Sequence, residues 1–419
     1  MSVLRLVPWA VWAPALALLA AALRLGVDRR GRGTAMMPLV VLAPLAIAIA
    51  MFAGAPGALR LAPIHAVLAA GLVVAILARD RDDLLQSECA LKLAWVLGAS
   101  IALSWAGNEV LAAITGTRSN AEQWAVLQVP IASSDLWRVA LPLGMLAGLV
   151  LMGVAPFHFW PADLFQGGRA WAAPLAASAL QVTGAAWLLA RLEGIESLPE
   201  ARAVTFGLLS VTTGVALVVG AATLMQQRRP ERRVGTLASL QGALALAILL
   251  GARGAAPGWF ERWAAHLALA LTGAGLLSRF LPVADGGSPL GGVLFRRHPL
   301  TALIGMLPVF SLAGVPGTPG SGVWLEAARA LAATHHSGVL LLLGIAWLAS
   351  FSTVMRQWRE SAGLPAAPAT TAPADAPGGS SAGQSAAPQA RVPLSARAAL
   401  WVAAIGVAAL GVAWAFGAP

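Results

Sequence analysis

The sequence predicts an all-α polytopic membrane bundle of about twelve transmembrane helices, and three observations carry that prediction. Of 419 residues, 58% are hydrophobic and only 11% charged, whereas soluble domains average about 25% charged residues. The mean hydropathy is +0.76. Apolar runs bounded by Arg, Pro and Gly recur along the whole chain, most of them near the roughly 20 residues that cross a hydrocarbon core.

The runs place spans at about 7–26, 36–54, 62–79, 90–114, 138–158 and 170–192. A second set follows at about 203–225, 234–252, 259–282, 299–334, 337–356 and 397–416. The first run is kept as a span and not as a cleaved leader, because its basic cluster follows the apolar stretch and no small-residue cleavage site precedes that cluster. The fifth ends at His158. The tenth is too long for one straight crossing, and its middle reads Gly314-Val315-Pro316-Gly317-Thr318-Pro319-Gly320, which cannot hold a continuous helical ladder. Two half-helices meeting at a break are expected there, with Glu326 on the second half.

This reading divides the chain into two N-terminal helices (1–60), a core (61–357), a linker (358–395) and a last helix (396–419). The linker is rich in Ala, Pro, Gly and Ser and too poor in large apolar groups to fold, so a disordered connector is expected. Most basic residues cluster in alternate loops, such as Arg29 to Arg32 and Arg228 to Arg233. By the positive-inside rule those loops face the cytoplasm and both termini face away from it, in a bacterial inner membrane. The formal net charge of +10 therefore reports topology, and nucleic acid is not an expected partner.

One cysteine, Cys89, excludes a disulfide framework and a cysteine-ligated metal or iron–sulfur centre within the chain. No cofactor is expected here. Ionisable groups inside a bilayer are costly, so each is a candidate for an ion path. The inventory is short: Glu109 near a helix end, Glu326, His65 in the third span, His266 in the ninth and His158 at the end of the fifth, with Gln181 as an uncharged polar group in the sixth. Each histidine taken alone reads first as a neutral, hydrogen-bonded packing residue and second as a proton carrier. Lys92 is the only lysine, and it lies at a membrane boundary. The tryptophans, among them Trp160, Trp171 and Trp358, fit an interfacial belt.

Particular strings add a resemblance. Pro156-Phe157-His158-Phe159-Trp160-Pro161-Ala162-Asp163 and the following Gly167 resemble the PFHxWxPDxxxG signature of the antiporter-like membrane subunits of respiratory complex I, chain N of NADH-quinone oxidoreductase in particular. Ser87-Glu88-Cys89-Ala90-Leu91-Lys92 is similar to that family's SEAALK. Ser311-Leu312-Ala313-Gly314-Val315-Pro316 is similar to its SLAGIP, and Ala238-Ser239-Leu240-Gln241-Gly242, more weakly, to its SSIAHAGY. The resemblance covers about 60–357. It implies two inverted five-helix repeats, each with a discontinuous helix. Members usually have fourteen helices, against twelve read here.

The charged positions that the family uses for proton transfer are replaced. The half-channel glutamate is missing around His65, the lysine before the PFH proline falls on Leu151, the next helix's lysine on Gln181, and the charged residue after SLAGIP near Trp324. The resemblance thus implies a membrane-arm subunit of a proton-translocating assembly, beside sibling antiporter-like subunits and a peripheral redox module. Its own channel is expected to be degenerate and its role largely structural, at most as a non-catalytic subunit. Two alternatives stay open: an active proton or cation translocator using His65, Gln181, His266 and Glu326, or a stand-alone secondary transporter. Pro156 and His158 are expected to shape a helix exit, the histidine by capping free carbonyls. Asp163 is expected on a loop, facing Arg169, water or a partner.

Overall fold

A computed structural model describes residues 84–128, 135–168, 172–192, 195, 198–251, 258–281, 293–362, 392 and 394–415. All regular structure among these residues is helical. In chain order the helices are α1 (Leu84–Thr115), α2 (Asn120–Leu127), α3 (Trp137–Leu151), α4 (Phe159–Gly167), α5 (Ala172–Leu192), α6 (Pro199–Gln226) and α7 (Pro230–Leu250). They continue with α8 (Trp259–Ser278), α9 (Val293–Arg297), α10 (Pro299–Gly305), α11 (Leu307–Leu312), α12 (Pro319–Ala333), α13 (Ser337–Ser361) and α14 (Leu394–Ala415). Among the described residues five helices, α1, α6, α7, α13 and most of α14, are long and apolar enough to cross a membrane. The two N-terminal spans, the third span with His65, and residues 363–391 of the connector lie outside the described residues, whereas the first residues assigned to the connector, 358–361, are the last turn of α13, which carries its helical ladder on to Ser361.

The helix starts follow from the sequence. Proline opens α6, α7, α10 and α12, where its missing N–H costs nothing because the first turn has no acceptor for it. Between α10 and α11 the path continues with an offset at Met306, just before Pro308, which supplies no donor to the ladder.

α7 is the hub. Its whole apolar stretch is buried, and it packs against α4, α5, α6, α8, α11, α12 and α13. Around it, α1, α6, α13 and α14 each bury one face and leave large apolar side chains outside, for example Trp95 on α1, Val211 on α6, Leu348 on α13 and Ile405 on α14. A water-exposed surface would not carry such a belt; hydrocarbon leaves it at no cost.

The fifth span departs from the expected 138–158. Its helix α3 ends at Leu151, and the PFH string does not close a helix but bridges to a second half-helix, α4. The cause lies in the backbone: Gly153 takes φ +66°, a left-handed conformation that side chains disfavour, and Pro156 then withholds a donor. Two helices among the described residues are therefore broken, α3/α4 and α11/α12.

Candidate functional site

The two breaks are built alike. α3 ends in a Schellman turn, with the Gly153 amide on the Val150 carbonyl at 2.9 Å and the Val154 amide reaching back to Leu149 at 3.5 Å. α11 ends the same way: Gly314, at φ +72°, donates to Ser311 at 3.0 Å, and Val315 donates to Phe310 at 3.0 Å. In both, the chain then runs through Val and Pro before the next half-helix starts. Each turn satisfies its own inner carbonyls and leaves the outer ones without a backbone donor.

At the first break, uncharged side chains supply those donors. Gln181 of α5, fully buried, donates from Nε2 to the Met152 carbonyl at 3.0 Å and to the Ala238 carbonyl of α7 at 2.8 Å. Both neighbours are acceptors, so the amide nitrogen must face them. Ser239 Oγ lies 2.8 Å from the Gly153 carbonyl and 3.0 Å from that of His158. Trp160 Nε1 adds a second donor, at 2.8 Å, to the inner Val150 carbonyl that already accepts the Gly153 amide. The His158 ring meets the Pro156 carbonyl, and its Nδ1 is buried without a hydrogen-bond partner.

The second break repeats this chemistry. Gln241 of α7 donates from Nε2 to the Leu312 carbonyl at 2.8 Å, which Trp324 Nε1 also approaches at 3.4 Å. Trp347 of α13 donates to the Gly314 carbonyl at 2.9 Å and stacks on Trp324 with ring centres 5.6 Å apart. Beside them Ser311 Oγ accepts the Gly320 amide at 2.9 Å and pairs with His266 Nε2 at 2.9 Å. His266 is fully buried, and its Nδ1 has no hydrogen-bond partner. If the Ser311 hydroxyl proton points at Nε2, the imidazole is neutral and carries its own proton on Nδ1.

Of the residues singled out from the sequence, Gln181 and His158 thus meet at the first break through α7, and His266 sits at the second with Gly314. Glu326 is half-buried on α12, six residues past Gly320 and so roughly 9 Å further along the helix. Pro156 is exposed and Phe157 half-buried, while Trp160, Pro161 and Gly167 are buried; Pro316 is exposed in the second connection. Leu151, where a lysine would fall, is fully buried. His65 lies outside the described residues.

Two expectations are corrected. Asp163 is on helix α4, not on a loop, and pairs with Arg232 at 2.8 Å; Arg232 also donates to Gln166 at 2.7 Å. The α7 start lies against α4, so the acid finds its cation there. The belt reading of tryptophan is also incomplete: Trp124, Trp160, Trp263 and Trp324 are fully buried. Trp160 and Trp324 bring uncharged N–H donors to carbonyls beside the breaks, Trp263 donates to the Gln241 carbonyl of α7, and Trp124 lies under the Arg191 guanidinium. Sequence reading missed Gln241, Ser311, Gly320 and Trp347 as site residues. The available signal was a lone Gln or Ser in the middle of an apolar helix.

Among the described residues, no group of three or more His, Cys, Asp or Glu side chains is placed to hold a metal ion.

No family model matches the chain. It is 31% identical over 271 residues to NADH-quinone oxidoreductase subunit N of Acidithiobacillus ferrooxidans, an alignment covering 62% of this chain and 55% of that protein. The chain thus spans little more than half the length of the curated relatives it matches. In fold it is similar to a chain of respiratory complex I from Thermus thermophilus, with a TM-score of 0.67 at 23% identity, covering 98% of this chain and 85% of that one. A chain of the Mrp complex from Dietzia sp. DQ12-45-1b gives a TM-score of 0.73 at 15% identity, covering 97% and 80%.

Proposed function

We propose that the chain is a membrane-arm, antiporter-like subunit of a respiratory proton-translocating assembly related to NADH-quinone oxidoreductase, in which it serves as a structural member whose own proton channel is degenerate. The similarity to subunit N supports membership. One observation carries the rest: the outer carbonyls at both helix breaks are occupied by amide, hydroxyl and indole donors, none of which changes charge on passing a proton. A wire needs groups that titrate at hydrogen-bond or single-water spacing, and the chain's only lysine, Lys92, pairs instead with Glu88 at 2.6 Å near the start of α1.

The finer architecture belongs to the same proposal. Twelve spans are arranged as inverted five-helix repeats, each broken once, and the matched Schellman ends of α3 and α11 support that pairing. The subunit sits in a bacterial inner membrane with both termini outside the cytoplasm. It lies beside sibling antiporter-like subunits and a peripheral redox module, and carries no cofactor itself.

The test is proton pumping by the whole assembly carrying His65→Leu and Glu326→Leu in this subunit. The expected result is an unchanged number of protons per electron pair. Loss of a fraction of the pumping would overturn the structural reading and favour an active translocator. Purification of the tagged chain without co-purifying subunits would instead favour a stand-alone transporter.

A further inference from the structure

Three helix ends converge at one pole of the molecule. The C-terminal end of α6, the start of α7 and the C-terminal end of α13 are tied there by Arg356 Nη2 on the Met225 carbonyl at 3.0 Å, Arg233 Nε on the Gln227 carbonyl at 2.8 Å, and Arg233 on Glu360 at 3.2 Å. Six arginines gather at this pole: Arg228, Arg229, Arg232, Arg233, Arg356 and Arg359. Three carboxylates, Glu231 in the first turn of α7, Asp163 and Glu360, do not balance them. Asp163 is taken by Arg232, and Glu360 is shared between Arg233 and, at a looser 3.8 Å, Arg356. Arg228 and Arg229 stand exposed, and the Arg359 Nε has no hydrogen-bond acceptor. Gln357, only 2% exposed, has both amide atoms without a partner. Donors outnumber acceptors at this pole.

Two of these three helices carry apolar side chains outward just along from it: Val211, Val218 and Met225 on α6, and Leu348 and Phe351 on α13. A cationic cluster continuous with a strip of exposed hydrocarbon is complementary to a molecule with an anionic head and an apolar tail. We propose that the α6–α7–α13 pole is a binding site for one anionic phospholipid, its phosphate held by Arg228, Arg229 and Arg359 and its acyl chains lying on the outer faces of α6 and α13. The phosphate brings the acceptor oxygens that this end lacks, and clustered arginines beside membrane helices favour such headgroups. The site rests on the membrane reading alone and is indifferent to whether the chain conducts protons.

The experiment is native mass spectrometry of the full chain released from detergent micelles doped with phosphatidylglycerol or, separately, phosphatidylcholine. The expected result is one retained phosphatidylglycerol and no comparable retention of the neutral lipid. Retention should fall on the order of a hundredfold in R228Q/R229Q/R359Q, a variant checked by its gel-filtration profile. If the triple variant does not fold, R229Q alone should lose about fivefold. Equal retention by wild type and variant, equal retention of both lipids, or displacement by millimolar inorganic phosphate would overturn the assignment.

Discussion

Close approach at single residues makes the site sensitive to single atoms. A Cβ on Gly320 would lie 1.6 Å from the Ser311 carbonyl oxygen and 3.0 Å from His266 Nε2, so α12 must retreat from α11 to admit it. Two residues on, Gly322 meets nothing nearer than the Trp414 ring at 3.7 Å. Gly320→Ala should therefore cost more than about 3 kcal/mol and lower the melting temperature in detergent, whereas Gly322→Ala should stay within about 1 kcal/mol of wild type. Gln181→Leu keeps the volume but removes the donor shared by Met152 and Ala238; about 2 kcal/mol of destabilisation is expected in the same melt. Equal stability of Q181L would mean that those carbonyls find other donors.

At the scale of the element, a broken helix in hydrocarbon is only as stable as the donors brought to its free carbonyls. Trp347→Phe retains the stacking on Trp324 but deletes the donor to Gly314. It should destabilise by about 1–3 kcal/mol and speed hydrogen exchange of the 314–320 connection relative to α7. Unaltered exchange there would show that the indole bond does not hold the break. These elements were unevenly legible in the sequence. The break at Gly314 to Gly320 was visible because Pro and Gly crowd into a run too long for one crossing. The break after Leu151 was hidden, since α3 and the PFH string together have the length of an ordinary span and its glycine is one among many. Span positions came from composition, which a bilayer enforces strongly. The partners of Gln181, Asp163 and the tryptophans depend on which helices lie beside α7, and no local pattern encodes that.

For the whole molecule, the outer fastening of the hub is the Asp163–Arg232 pair, with side chains 23% and 30% exposed. A double-mutant cycle with Asp163→Asn and Arg232→Gln should give a coupling of about 1 kcal/mol that shrinks as salt is raised. A coupling indifferent to salt would indicate a hydrogen bond in place of an ion pair. Inward from that fastening, Ala238 and Ser239 serve one break and Gln241 the other, all within a single helical turn of roughly 5.4 Å. Such a turn behaves like the teeth of a key. Adding one residue between Ser239 and Gln241 would rotate everything beyond it by about 100°, swinging the amide off the Leu312 carbonyl while the first break stayed engaged. Chain length is thus frozen in this one turn, and the two halves of the molecule keep their phase through four consecutive residues.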